Sequence, residues 1–281
     1  MPKTRMPSIK NIARWIANGD GQGEGKTYKP FFKVRDVPSN GRSHIILGII
    51  TGRLHHYLSD LEYYIHILSE WKPFVCDIRE QYALLPLEET LQLASKLNIR
   101  HPNYVGTRTP RVLTTDIVLS VANPNEPKIQ PISIKYDKEI NPQKARDKKK
   151  LKRTVEKLLL EKCYWANRKI NCKIITERDI SLVLAKNLRF LRPSMSMCNF
   201  EYIVGLLPKY IELFNEIWTP NRTLNEINWI IASELNIDIS DAYKLFGRAV
   251  WCRLLDIEIG RSRLRQDGSV YRSTQTWNPC K

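Results

Sequence analysis

The chain has 281 residues, with 45 Lys and Arg against 29 Asp and Glu, a formal net charge of +16 at pH 7. Hydrophobic residues at 42% and charged residues at 26% lie near globular averages, which excludes disorder of the whole chain, and no apolar run nears the ~20 residues of a membrane span. So large a positive excess asks for a polyanionic partner; nucleic acid leads over a membrane surface, because neither a long cationic amphipathic helix nor a lipidation signal is evident. The N-terminus, Met1-Pro2-Lys3-Thr4-Arg5, lacks the apolar stretch of a signal peptide. The six cysteines are scattered, without Cys-x-x-Cys or zinc-type Cys/His spacing, and fit free thiols in a reducing cytoplasm. A length above about 250 residues favours two domains.

Residues 8–18 read as a short helix, closed by a glycine-rich stretch at 19–27. Gly25-Lys26-Thr27 has the ending of a phosphate-binding loop, but the first glycine of that spacing falls on Asp20 and a helix precedes it, so the stretch reads as a plain loop. Residues 43–57 form two β-rich runs about Thr51-Gly52, a hairpin signal. Ser59 then caps a helix whose Leu61, Tyr64, Ile65, Leu68 and Trp71 recur at helical spacing. Residues 75–85 read as a strand and 86–98 as a helix. In the strand at 112–121, Leu113, Thr115, Ile117, Leu119 and Val121 form the more apolar face, leaving Asp116 with Thr114 and Ser120 on the other. In 129–136, Ile132, Ile134 and Tyr136 point one way and Ser133 and Lys135 the other. The turn formers of 122–127 pair these two strands as a hairpin, which brings Asp116, Ser133 and Lys135 together on one side of a sheet.

A long helix is expected at about 142–168, with Leu151, Val155, Leu158 and Trp165 on one face and Lys148, Lys149, Lys150, Lys152 and Arg153 in its first turns, the candidate DNA contacts. A strand at 172–176 and a helix at 182–191 follow. From Pro193 onward helices dominate: 200–218, then 223–235 with a Thr223/Glu226 capping box, then 240–252 in helix-turn-helix proportion. Short strands at 256–259 and 262–271, turning at Asp267-Gly268, read as a wing. The charge is uneven: between Lys138 and Lys173 there are 13 Lys and Arg against 4 Asp and Glu, whereas from Trp218 onward the balance is 9 against 7.

An acidic residue on a helix, an aspartate on a strand and a lysine on the next strand form the layout of a metal-dependent nuclease. Phosphodiester hydrolysis needs divalent ions to bind the phosphate oxygen, lower the pKa of an attacking water and stabilise the leaving oxyanion. Hard Mg²⁺ or Mn²⁺ takes oxygen ligands, which Glu62, Asp116 and the Ile134 carbonyl supply; Lys135 would orient or deprotonate the water and offset charge in the transition state. Plainer readings stand beside these. Glu62 follows Ser59 by three and would complete a capping box, Asp116 would ion-pair with Lys135 across the hairpin, and the Lys148 to Arg153 run would be a solvated helix face.

A longer ordered series of motifs bears on the choice. Gly21-Gln22-Gly23-Glu24-Gly25-Lys26, Val37-Pro38-Ser39-Asn40-Gly41-Arg42-Ser43-His44, Thr51-Gly52-Arg53-Leu54-His55-His56 and Leu58-Ser59-Asp60-Leu61-Glu62 come first. Asp77-Ile78-Arg79-Glu80-Gln81, Leu84-Leu85-Pro86, Arg153-Thr154-Val155-Glu156-Lys157-Leu158, Leu160-Glu161-Lys162 and Tyr164-Trp165 continue it. Over about 20–177 this series resembles the TnsA family, the endonuclease subunit of heteromeric Tn-seven-like transposases; beyond 193 the resemblance is architectural. It implies an α/β, mixed-sheet, restriction-endonuclease-like catalytic domain at 1–192 and a mostly helical winged-helix-type domain at 193–281 for partner or DNA contacts. It further implies a Mg²⁺-dependent DNA endonuclease, Mn²⁺ substituting, that cuts the non-transferred strand at the 5′ ends of a transposon. Its partners would be transposon-end DNA, a TnsB-type DDE transposase and a TnsC-type ATPase regulator, in a prokaryotic cytoplasm. The family's catalytic residues fall on Glu62, Asp116 and Lys135, with Glu161 a secondary candidate. Where the family pattern has glutamine two before the lysine, this chain has Ser133, whose shorter hydroxyl would act through water. That departure leaves open a catalytically inert DNA-binding adaptor.

Overall fold

A computed structural model of the chain describes residues 8–36, 42–122, 128–195 and 201–273. The turn expected at 123–127, most of the motif from Val37 to His44, and Cys198 and Cys280 lie outside them. The chain divides into two compact units, residues 1–180 and 181–281. The helix at 182–191, read from the sequence as part of the first domain, therefore belongs to the second; its Asn187 side chain is committed there, donating to the Ile259 and Ser262 carbonyls at 2.8 and 2.6 Å and accepting from Leu264 N at 2.9 Å.

In the first unit Ser8 caps α1 (Ile9–Ala17), which buries Ile12 and Trp15 against Phe31, Phe32, Ala83 and Val112. The glycine-rich loop follows. Gly21 has φ +80°, and a Cβ there would lie 2.5 Å from that of Ala83, so only glycine lets the loop lie this close to the sheet. β1 (His44–Leu47) and β2 (Leu54–Tyr57) form the expected antiparallel hairpin, with Gly52 left-handed in its turn. The main sheet has the order β3 (Val75–Ala83), β4 (Thr114–Val121), β5 (Lys128–Ile134), β6 (Lys173–Ile175); the first two pairings are antiparallel and the last parallel.

Strand alternation gives this sheet two buried faces. Ile117, Leu119, Ile132 and Ile134 meet Leu61 and Ile65 of α2 (Asp60–Glu70), while Val118 and Leu84 meet Tyr164 and Trp165 of α5 (Lys148–Ala166). α3 (Leu87–Lys96) and the short α4 (Asp137–Ile140) complete the unit. Each fully buried Ile or Leu contributes roughly 1.5–3 kcal/mol, so the sheet is a rigid base for what its loops carry.

Two expectations change here. Of the apolar positions read on α2, Tyr64, Leu68 and Trp71 are only half-buried, whereas Glu62, His66, Ile67, Ser69 and Glu70 are buried. The helix is sandwiched between hairpin and sheet, and its inner polar residues find partners. Tyr57 Oη lies 2.6 Å from His66 Nδ1, and Ile49 N donates to Glu70 Oε1 at 2.6 Å. The long helix starts at 148 rather than 142, because the Asp147 side chain accepts from Lys149 N and Lys150 N and fixes the N-terminus there. Its Val155 is 48% exposed, and Leu160, Glu161 and Tyr164 are buried.

Buried charges fasten the hairpin to β3. Arg53 donates to both carboxylate oxygens of Glu80 at 2.9 and 2.6 Å and to the Ile78 carbonyl at 2.8 Å; His55 Nδ1 lies 2.8 Å from Glu80, and His56 N donates to it at 3.1 Å. Burial is the largest single influence and raises the Glu80 carboxyl, but the hydrogen bonds and charges of His55 and Arg53 together outweigh it and hold the carboxyl down at about 2.

The second unit is helical: α6 (Leu182–Leu191), α7 (Glu201–Val204), α8 (Leu207–Ile217), α9 (Leu224–Leu235) and α10 (Ile239–Trp251). The expected Thr223/Glu226 capping box forms. The run expected as one helix at 200–218 is broken between α7 and α8. The expected strands at 256–259 and 262–271 reduce to single bridges, Ile257 with Arg272 and Thr223 with Ser269. The chain there spends its carbonyls elsewhere: Leu224 N and Asn225 N, orphan donors of the first turn of α9, bond to the carbonyls of Gly268 and Gln266 at 2.9 and 2.8 Å. α10 is the central helix of the unit, with Asp241, Ala242, Leu245, Phe246, Gly247, Ala249, Val250 and Trp251 buried. A Cβ at Gly247 would fall 2.0 Å from Ser194 Oγ, so glycine sets this close approach.

Candidate active site

The proposed catalytic side chains come from four elements of the first unit. Ser59 ends the hairpin connection and caps α2, accepting from Glu62 N at 3.2 Å; its hydroxyl donates back to Glu62 Oε1 at 2.9 Å, and Leu58 N donates to Oε2 at 3.1 Å. The capping contact read from the sequence thus exists, and it turns the Glu62 carboxylate back over the N-terminus of the helix. β4 delivers Asp116, whose Oδ2 accepts from Ile134 N at 2.6 Å and from Lys135 Nζ at 2.7 Å. Lys135 Nζ also donates to the Ile134 carbonyl at 2.7 Å. The ion pair across the hairpin is therefore present as well.

Ser133 lies on β5 and is buried, with Oγ 3.6 Å from Cys172 Sγ and hydrogen-bonded to Glu161. It turns toward α5 rather than toward Lys135. Glu161 is itself buried and is also held by Thr115, whose hydroxyl accepts from Trp165 Nε1 at 2.8 Å.

Electrostatics link these groups. Burial first, and then the charge of Asp116, push the Glu62 carboxyl up to about 7; burial and then Asp116 push Glu161 up to about 7 as well. Lys135 is held above its ordinary value: burial opposes the ammonium, but the charge and hydrogen bond of Asp116, then Glu161 and Glu62, outweigh it. Three carboxylates thus feel one another around a single cation.

That excess of negative charge in oxygen donors is what a hard divalent ion would relieve, and in this sense Glu62, Asp116 and the Ile134 carbonyl fit one. Among the described residues, however, no three His, Cys, Asp or Glu side chains converge on one point that would hold a metal ion. Lys135 stands at Asp116 instead.

Glu62, Ile134 and Lys135 line a cleft of about 880 Å³. Its basic side chains are Arg42, Lys135, Lys138, Lys144, Arg146 and Lys150, against Asp60, Glu62, Glu139 and Asp147. Of the five residues expected to contact DNA, only Lys150 lines this cleft. Lys148, Lys149 and Lys152 are exposed on α5, while Arg153 is half-buried, paired with Glu156 and donating to the Arg100 carbonyl at 3.0 Å. Arg42, Lys138, Lys144 and Arg146 line the cleft and were not among the residues expected to contact DNA. Lys138, Lys144 and Arg146 belong to the dense positive charge that the sequence shows after Lys135. Gln81, whose Nε2 lies 3.4 Å from Glu62 Oε2, was also missed. No helix among the described residues is long and apolar enough to cross a membrane.

Residues 72–177 match the family model described as TnsA-like endonuclease N terminal. The chain is 40% identical over 181 residues to the Transposon Tn7 transposition protein TnsA of Escherichia coli, an alignment covering 64% of this chain. The chain spans 61% of the length of that relative. The matched region holds Asp116, Ser133, Lys135 and Glu161 on one sheet and its flanking helix, so the similarity to TnsA-like endonucleases falls on the part of the chain that carries most of the candidate site.

Proposed function

We propose that the protein is the metal-dependent DNA endonuclease subunit of a heteromeric transposase, hydrolysing the non-transferred strand at the 5′ ends of its transposon. The observation that carries this reading is the pairing of Asp116 with Lys135, which together with Glu62 and Ile134 lines a cleft rich in lysine and arginine. The relative in Escherichia coli, a transposition protein by name, supplies the biological setting. The partners are transposon-end DNA, a TnsB-type DDE transposase and a TnsC-type ATPase regulator.

Glu62, Asp116 and the Ile134 carbonyl would hold Mg²⁺, which when bound supplies Lewis acidity and a more acidic water. Arg42, Lys138, Lys144, Arg146 and Lys150 bind the DNA backbone and bring a phosphodiester to the cleft. Lys135 remains an ammonium at neutral pH, because its carboxylate neighbours raise its pKa. As an ammonium it orients water by donating hydrogen bonds and offsets negative charge on the phosphoryl oxygens. Glu161, held by Ser133 and Thr115, adds negative charge that favours the Lys135 ammonium from the α5 side.

The second unit serves as the partner-docking module, a winged-helix type in which the irregular segment 256–272 takes the place of the wing. Burial of α10 favours protein contacts over insertion of that helix into a major groove. Residues 181–281 also hold only 13 of the 45 Lys and Arg, against 10 of the 29 Asp and Glu.

The test is strand-resolved excision in a reconstituted complex with Mg²⁺. Lys135→Ala is expected to abolish the 5′-end cut while the transposase partner still processes 3′ ends; an unchanged 5′ cut refutes the assignment. One observation favours a second reading, an inert DNA-binding adaptor: Asp116 Oδ2 is engaged by both Lys135 and Ile134 N. That reading predicts that the parent protein, in the full complex with Mg²⁺, leaves the 5′ ends attached.

A further inference from the structure

Gln81 lies in the interior of β3, between Glu80 and Tyr82, which pair with Ile117 and Thr115 of β4. Its φ is +48°, in the left-handed region, where a residue with a side chain is strained. Such strain persists only where the surroundings enforce it, and here they do. The Gln81 carbonyl accepts from Phe31 N at 3.3 Å, and the side chain is 3% exposed.

Both ends of the buried amide are used between elements. Nε2 donates to Glu62 Oε2 at 3.4 Å, and Oε1 accepts from Thr114 Oγ1 at 3.2 Å. Thr114 precedes Asp116 by two residues on the same strand. One amide therefore ties the carboxylate of α2 to the strand that carries the aspartate, beside the apolar packing of Leu61 and Ile65 against Ile117 and Leu119. The chemistry suits the place. An amide N–H fixes a carboxylate without neutralising it, whereas a lysine or arginine would compete with a divalent cation for the same oxygen.

We propose that Gln81 is a positioning residue that holds Glu62 in the orientation needed to share a divalent cation with Asp116. This rests on the nuclease reading above. Gln81 touches neither substrate nor reacting atoms; it acts through Glu62, with Thr114 as its anchor.

The experiment is Mn²⁺ titration calorimetry on the full chain, paired with the Mn²⁺ dependence of 5′-end cleavage in the reconstituted complex. Gln81→Gly removes the amide and adopts the left-handed backbone freely. Thr114→Val removes only the anchor and leaves β3 untouched, so it stands if the first variant folds poorly. The expected result is Mn²⁺ affinity weakened about tenfold in Gln81→Gly, with a smaller weakening in Thr114→Val. The Mn²⁺ concentration for half-maximal cleavage should rise in step, and the rate at saturating Mn²⁺ should return to within about twofold of the parent. Parent-like Mn²⁺ affinity in both variants overturns the inference. So does a lower active fraction with an unmoved half-saturation, the mark of a merely structural side chain. Asp116→Ala separates the two levels: if it also binds Mn²⁺ like the parent, the nuclease reading fails with the inference. If Asp116→Ala alone loses Mn²⁺, the role of Gln81 fails and the nuclease reading stands.

Discussion

The clustered carboxylates make a prediction about stability that needs no DNA. Glu62 is 7% exposed, and its carboxyl is raised from 4.5 to about 7, chiefly by burial and then by Asp116. An acid whose pKa is raised on folding binds its proton more tightly in the folded than in the unfolded chain. Its contribution therefore falls as pH rises from about 4.5 through about 7, and above that the ionised group costs the fold at most about 3 kcal/mol. Glu161 acts with the same sign. His56 and His101, lowered mainly by burial, act with the opposite sign, so the informative quantity is the difference between parent and variant at each pH.

Glu62→Gln keeps an oxygen to accept from Leu58 N but cannot ionise. In metal-free buffer it is expected to leave stability nearly unchanged at pH 5 and to raise it by about 1–3 kcal/mol at pH 8. Saturating Mn²⁺ should stabilise the parent at pH 8 and leave Glu62→Gln much less affected. Urea denaturation followed by tryptophan fluorescence, in EDTA and in Mn²⁺ at pH 5, 6, 7 and 8, reads both effects. A Glu62→Gln protein less stable than the parent at pH 8 without metal would refute the reasoning, since it would mean that the ionised carboxylate is better satisfied in the fold than in water.

Two further outcomes follow from other parts of the first unit. Glu80→Gln leaves the buried Arg53 guanidinium without its carboxylate and should destabilise the protein by about 3–5 kcal/mol. Because the folded pKa of Glu80 lies near 2, the stability it confers is complete above about pH 4.5 and is lost as pH falls toward 2, so the parent–variant gap should close only in acid; a gap that narrows near neutrality contradicts this. Arg146→Gln with Lys144→Gln should lower the salt dependence of DNA binding by about 0.9 in log–log slope for each phosphate that is no longer neutralised. The same assay on Arg153→Gln should show little change, because Arg153 is engaged by Glu156 and the Arg100 carbonyl.

What could be read from the sequence was what depends on local pattern. The hairpin about Gly52, the Ser59 cap and the pairing of Asp116 with Lys135 each follow from turn chemistry or the two-residue period of strands, within a short span. The start of α5 was misread by six residues because 142–147 is helix-compatible in composition; Asp147 decides the boundary by capping Lys149 and Lys150. The wing was misread because alternation at 262–271 resembles a hairpin, whereas the carbonyls of Gln266 and Gly268 satisfy the first turn of α9. The burial of Glu62, His66 and Glu70 on α2, and the strained turn of Gln81 toward Glu62, have no local signature. Glu70 is met by Ile49 N and Gln81 by Thr114, residues far away in the chain, as Arg53 meets Glu80, and helical periodicity of apolar residues is blind to such partners.

The most direct measurement is strand-resolved cleavage at transposon ends by complexes containing either the parent or Asp116→Ala, with Mg²⁺ and with Mn²⁺. A side chain that holds the metal should matter at least as much as the 10–100-fold typical of the groups supporting it, so the 5′-end cut is expected to fall by on the order of a hundredfold or more. Cleavage at the 3′ ends should persist, showing that the complex still assembles. Equal 5′-end cleavage by parent and Asp116→Ala would contradict the assignment of this site as the nuclease centre.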